Sequence, residues 1–185
     1  MPEQRVDRER VLDAALAIVR EQGETALSAR AGAQRAGCSV QPLSRLFGDM
    51  DGLVRALYEH ARAWVAAYNR EHEHDGKNPF ESNGLSHLRL ARTERNLFHF
   101  LYLSPHMEAI GFGEVYASVS LPEVQRCIEE LGHLSPEDAH ELYLNMIVYV
   151  HGMAAMLATG ASFTDDELLA RMDTAFRGFV ALVRP

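Results

Sequence analysis

The stretch from Ser28 to Phe47 constrains this chain more than any other. It reads SARAGAQRAGCSVQPLSRLF: two short helical patterns on either side of a Gly-Cys-Ser turn, directly after a longer amphipathic segment. Gly37 tolerates the positive φ that a tight turn needs. This is the layout of a helix-turn-helix, in which the second helix enters the DNA major groove. Ala33 and Ala36 keep the first helix slim where the two cross, and Leu43 and Phe47, four apart, give the second one apolar face. Its other face carries Val40, Gln41, Ser44 and Arg45, which would meet bases and phosphates. Ser39 as cap and Pro42 in the first turn accompany them, while Ser28 and Arg30 would meet the DNA backbone. On spacing alone, a helical hairpin of no special purpose fits as well.

The rest of the chain supports an all-α protein. Alternating β-branched runs are missing, and Ala, Leu, Glu and Arg dominate. The length of 185 residues is enough to bury a core without disulfides or a structural metal. Two cysteines, Cys38 and Cys127, are too few for a disulfide framework and fit a reducing cytoplasm. No run approaches the roughly 18 apolar residues of a membrane span, so no membrane partner is expected. The start, MPEQRVDRER, has no apolar signal core. The net charge of −8 argues against a general nucleic-acid binder. Its distribution is uneven: residues 1–60 hold eight Arg against nine acidic residues, and residues 61–185 hold ten basic against 17 acidic. An acidic protein reads DNA only through a locally basic face, and here that face is weakly basic, so backbone affinity should be modest and lost with salt.

Helix signals punctuate the sequence. Val11, Ala14, Ala15, Ile18 and Val19 form a stripe in a first helix from Arg5 to Gln22. Ser28 caps a second helix, Ala29 to Ala36; Ser39 caps a third, to Phe47; Asp51 caps a long fourth, to about His72. A polar breaker cluster, EHDGKNP, follows at residues 73–79. Ser82 caps a fifth helix to about Thr93, and Glu94 to Leu103 is a sixth. Residues 104–120 show no clear period. Pro122 opens a helix to about Leu131, Ser135-Pro136-Glu137-Asp138 opens one to about Thr159, and the capping box Thr164–Glu167 opens the last.

The pieces RVLDAALAIVREQG, SARAGAQRAGCS and LSRLFGDMDGLVRAL together resemble the DNA-binding domain of the TetR family of transcriptional regulators. YVHGMAAMLATG, residues 149–160, resembles the penultimate helix of one branch of that family, with its His-Gly pair. The resemblance implies a helix-turn-helix DNA-binding domain over residues 1–50. A long fourth helix would join it to a helical ligand-binding and dimerisation domain over residues 51–185. It implies a homodimeric, ligand-responsive regulator, a repressor released from a palindromic operator by a small molecule. The chain departs from the family pattern at Gly32, usually a bulky aliphatic residue; at Val40, often a cation or small polar residue; at Ser44, usually Tyr; at Leu46, often His; and at Met50, usually Lys. The alternative is a ligand- or partner-binding protein of the same fold with weakened or lost DNA recognition.

Aromatic residues and methionines gather in the second half. At helical spacing these are ordinarily core, but several Tyr and Trp together suit an adaptable, largely apolar pocket. With the resemblance, they mark Trp64, Tyr68, Phe98, Tyr102, Met107, Tyr143, Met146 and His151 as ligand-binding candidates. The last two helices are apolar on more than one face, and a helix apolar on two faces is buried on both. Tyr149, Met153, Leu157, Met172, Phe176 and Phe179 are therefore expected at a two-fold, four-helix dimer interface. No cofactor, metal or enzymatic activity is expected. His72-Glu73-His74-Asp75 has ligand types suited to Zn²⁺ but reads better as a solvated helix end. No nucleophile elbow, phosphate loop or ordered His/Glu metal pattern is present.

Overall fold

Backbone helices begin and end largely where the sequence places its breakers. The computed structural model describes residues 7–106 and 111–183, all helix and connecting turn. They fold as two units: residues 7–67 with 94–106, and residues 68–93 with 111–183. This division falls within the fourth helix, after Ala67, rather than after residue 50. The expected helix start at Arg5 lies outside the described residues.

The first unit contains α1 (Arg8–Gln22), a 3₁₀ turn (Glu24–Ala26), α2 (Ala29–Ala36), α3 (Gln41–Phe47) and most of α4 (Met50–Glu71). It also contains α6 (Arg95–Phe98), which widens into a π-helical turn at His99–Leu103. Its core is Val11, Leu12, Ala15, Ile18 and Val19 of α1, Leu43 of α3, Leu53, Leu57 and Ala61 of α4, and Leu97 to Leu101 around α6, excepting the exposed His99. α1 packs against both α2 and α6.

The second unit contains the end of α4, α5 (Pro79–Thr93), α7 (Phe112–Val119), α8 (Pro122–Gly132), α9 (Pro136–Ala158) and α10 (Asp165–Val183). α9 is its central helix, packed against α5, α8 and α10. By length and composition α9 is long and apolar enough to cross a membrane, although it contains no unbroken apolar run of that length. It reaches that hydropathy with polar residues interspersed, and eight of its side chains are buried in this unit.

Three caps sit one to four residues from their expected places. Ser28 accepts from the Ala31 N–H (3.1 Å) and Ser135 from the Asp138 N–H (3.2 Å), as the sequence indicates. Thr164 and Glu167 close a reciprocal capping box, at 3.2 and 2.7 Å. At α4, however, Asp49 rather than Asp51 accepts from the Gly52 N–H (2.8 Å). At α5 the cap is Asn78, accepting from the Glu81 N–H (2.9 Å); Ser82 is buried and accepts from the Gly76 N–H instead. Val40, not Ser39, occupies the capping position of α3 and makes no side-chain cap.

Candidate nucleic-acid interface

Two short helices and the turn between them build the candidate interface. α2 is stopped by a Schellman motif: the Gly37 N–H bonds the Gln34 carbonyl (3.1 Å) and the Cys38 N–H bonds the Ala33 carbonyl (2.9 Å). Gly37 sits at φ 67, ψ 39, the left-handed conformation that glycine adopts without a steric penalty. The chain then turns into α3, whose far end is fixed by backbone crowding. A Cβ on Gly52 would lie 2.0 Å from the Phe47 carbonyl oxygen, so only glycine allows α3 to run so closely into α4.

α3 is anchored through Leu43, which is buried, with Pro42, Leu46 and Phe47 half-buried beside it. Leu43 also fills the space beside Gly32: a Cβ added there would meet Leu43 Cδ2 at 3.5 Å, an ordinary contact. Ser39, Val40, Gln41, Ser44 and Arg45 are all exposed, as are Ser28 and Arg30 at the start of α2. The Ser28 hydroxyl oxygen is engaged in capping, but its O–H remains a donor that a phosphate can accept from.

Electrostatics around this face are shaped by pairing. Arg35 grips Glu21 with both guanidinium nitrogens, a fork that holds the Glu21 carboxyl below its usual range and lifts Arg35. The Arg8 guanidinium lies over the Phe47 ring, 5.2 Å from its centre. α1 and the 3₁₀ turn after it are tied across their unit by further pairs. Arg20 bonds Glu94 (2.6 and 3.0 Å) and stacks 4.3 Å from the centre of the Trp64 ring. His60 meets Asp13 at 2.8 Å, and His106 meets Glu24 at 2.6 Å.

The residues expected to bind ligand divide between the units. Phe98, Tyr102 and Trp64 belong to the first unit, where the Phe98 and Tyr102 rings lie 4.9 Å apart and burial pushes the Tyr102 phenol up to about 12. Tyr68, Tyr143, Met146 and His151 belong to the second; Met107 lies outside the described residues. Tyr143 and Met146 are buried, and the Tyr143 hydroxyl accepts from the Leu121 N–H (3.2 Å). The Tyr116 ring packs against Tyr143 and, at 4.0 Å, against His140. Beside them opens a recess of about 270 Å³ lined by Ser120, Leu121, Pro122, Gln125, Arg126 and Glu129. His151 faces His87 of α5 at 5.7 Å between ring centres, a pairing that sequence spacing did not suggest.

Of the residues expected at a dimer interface, Met153, Leu157 and Met172 are already buried within one chain, Tyr149 and Phe176 are half-buried, and Phe179 is exposed. The exposed apolar residues of α9 are instead Val148 and Met156, joined on α10 by Leu182. Gly152 lies between Val148 and Met156 on the same face, with nothing of its own chain within 4 Å of an added Cβ. The polar segment at residues 72–75 is paired with α5: Arg89 engages both His72 and Asp75, holding the Asp75 carboxyl below its usual range. Among the described residues no group of three or more potential ligands is placed to hold a metal ion.

No family model matches the sequence, and no curated protein matches it. Solved structures do. One, assigned to the TetR family of transcriptional regulators and from Rhodococcus sp., superposes with a TM-score of 0.64 at 18% identity, over 94% of this chain and 98% of its own. A TetR family transcription regulator from Marinobacter aquaeolei VT8 superposes with a TM-score of 0.58 at 18% identity, over 92% and 93%. The chain therefore has the fold of TetR-family regulators over nearly its whole length.

Proposed function

We propose that this chain is a homodimeric, DNA-binding transcriptional regulator whose operator affinity is set by a small molecule. What carries the proposal is α3: a seven-residue helix held by buried Leu43, with Ser39, Val40, Gln41, Ser44 and Arg45 turned to solvent beside exposed Ser28 and Arg30. A helix anchored on one side and hydrogen-bonding on the other suits the major groove, with Ser28 and Arg30 on phosphates and Gln41 and Arg45 on base edges. Such a protein is a binding protein rather than an enzyme, works on DNA in the cytoplasm, and needs no cofactor.

The second copy docks through α9 and α10. Val148, Met156, Phe179 and Leu182 are exposed there, and the two helices pack side by side. Two helices from each copy make a four-helix interface, which sets paired recognition helices roughly 34 Å apart on a palindromic operator. Tyr149 and Phe176 flank that surface, while Met153, Leu157 and Met172 support it from within.

The effector is a small, largely apolar molecule. Tyr143, Met146 and His151 in the second unit are the first candidates to contact it, Tyr143 being bonded to Leu121 of the recess lining; Tyr68 of the second unit, and Trp64, Phe98 and Tyr102 of the first, remain candidates. A ligand releases the protein from DNA only by favouring a state in which the two recognition helices are misplaced.

Gel shifts with random duplexes at low salt test the proposal. Wild-type protein is expected to bind, and Arg45→Ala to weaken binding by about tenfold or more. One observation favours a second reading, a partner-binding protein of this fold without an operator: Val40, Ser44 and half-buried Met50 leave few groups for phosphate. Absence of binding at any salt selects that alternative.

A further inference from the structure

We propose that Val40 reads a thymine, its side chain packing on the C5-methyl group in the major groove and making a T·A pair at that step a determinant of each half-site. This rests on the DNA-binding function proposed above and names what the interface recognises. Among the described residues of the first unit, Val40 is the only large apolar side chain left exposed, at 40%. It stands at the entrance of α3 with helical backbone angles, φ −71 and ψ −27, and its carbonyl accepts from the Leu43 N–H (3.0 Å). A β-branched side chain on so fixed a backbone has few rotamers to lose and presents its two methyls at a defined place.

The surroundings select the occupant. Ser39, Gln41 and Ser44 are exposed and polar, so Val40 is a single apolar tip inside a hydrogen-bonding rim. A protein partner would need a broader apolar core than one valine supplies. Phosphate oxygens offer a valine nothing, and the minor groove displays no methyl group. In the major groove a T·A pair presents a methyl beside the thymine O4 acceptor, with the N6 donor and N7 acceptor of adenine on the other strand. The Gln41 amide, next in sequence, has the donor and acceptor that match adenine. The apolar residue at position 40 thus trades a salt-sensitive contact for a methyl contact that carries sequence information.

The test uses the full chain and a duplex selected from a random pool at low salt. Each thymine is then replaced singly by deoxyuracil, which removes only the methyl. Wild-type protein is expected to lose roughly three- to fivefold in affinity at one thymine per half-site. Val40→Gly, which removes the side chain at an exposed cap position where glycine is tolerated, is expected to bind the thymine and uracil duplexes equally at that site, with an unchanged salt slope. The proposal is overturned if no single replacement affects wild type, or if Val40→Gly keeps the preference for thymine. Binding without methyl sensitivity removes this inference alone; failure to select any duplex removes the DNA-binding function with it.

Discussion

α1 and α9 are both core helices, but they are completed differently. α1 buries Val11, Leu12, Ala14, Ala15, Leu16, Ile18 and Val19, and its polar side chains become bridges: Asp13 to His60, Arg20 to Glu94, Glu21 to Arg35. α9 buries eight side chains yet leaves Val148 and Met156 at 49% and 47% exposure on the remaining face. One helix is finished by its own chain. The other keeps an apolar stripe that its own unit does not cover, and large apolar side chains aligned on one face mark an interaction surface where scattered ones do not.

The sharpest way to break this contrast is to charge the stripe. The double substitution Val148→Asp, Met156→Asp buries two carboxylates in any α9–α10 interface, which should weaken dimerisation on the order of 100-fold or more. Both positions are exposed in the single chain, so the melting temperature of the dissociated protein should hardly move. Sedimentation equilibrium reads the outcome. A double variant that remains dimeric at micromolar concentration would show that α9 is completed elsewhere.

The second difference is acid sensitivity. Burial pushes His87 down to about 3, with the neighbouring His151 adding to the shift; burial also lowers His151. His87 therefore stays neutral in the folded protein while the unfolded chain takes up its proton near pH 6.5. A folded pKa below the unfolded one means stability is complete above pH 6.5 and falls as the pH drops from there towards 3. The loss is about 1.4 kcal/mol for each unit at the steepest. Urea unfolding between pH 7.5 and 4.5 should show this slope in wild type and a flatter one in His87→Gln. Equal slopes would mean that His87 gains its proton without cost in the folded state.

On the α1 side the bridges can be cut one at a time. The side chains of Arg20 and Glu94 are 35% and 19% exposed, between a surface pair and a buried one. Arg20→Ala should thus cost about 1–2 kcal/mol in chemical denaturation. Because Trp64 is the single tryptophan and Arg20 lies over its ring, the same substitution should alter the fluorescence of the native state. An unchanged emission maximum and unchanged stability together would remove the clamp from the account of α1.

These contrasts mark how far the sequence could be read. α2 runs from Ala29 to Ala36 as expected, because both of its ends are local: a serine cap and a left-handed glycine. Ser135 and the Thr164–Glu167 box are legible for the same reason. The start of α4 is not local. Asp49 and Asp51 are equally good caps, and the choice is made by the Phe47 carbonyl closing on Gly52. Which residues of α3 face solvent was legible because the helix is short and Leu43 orients it. The outer face of α9 was not: periodicity gives two apolar stripes, and only packing against α5 and α10 decides that Met153 and Leu157 lie inside while Val148 and Met156 lie outside. The pairing of His87 with His151 joins two helices far apart in sequence, and neither residue's local pattern announces it.

The smallest effect concerns the interface itself and has the opposite sign. Gly32 lies in the middle of α2 and is buried, where the resemblance to the TetR family leads one to expect an aliphatic residue. Its absence suggests a cavity, but Leu43 has closed over the position, leaving a Cβ just enough room at 3.5 Å. Gly32→Ala therefore gains helix propensity and restricts the unfolded chain without displacing α3. It should stabilise the first unit by about 0.5–1 kcal/mol. Larger residues should reverse the gain, since Gly32→Leu has to push Leu43 aside and with it the anchor of α3. Thermal melts of the two variants distinguish the cases: a rise for alanine and a fall for leucine locate the close contact at Leu43, whereas a rise for both would mean that the α2–α3 junction holds a void that Leu43 does not fill.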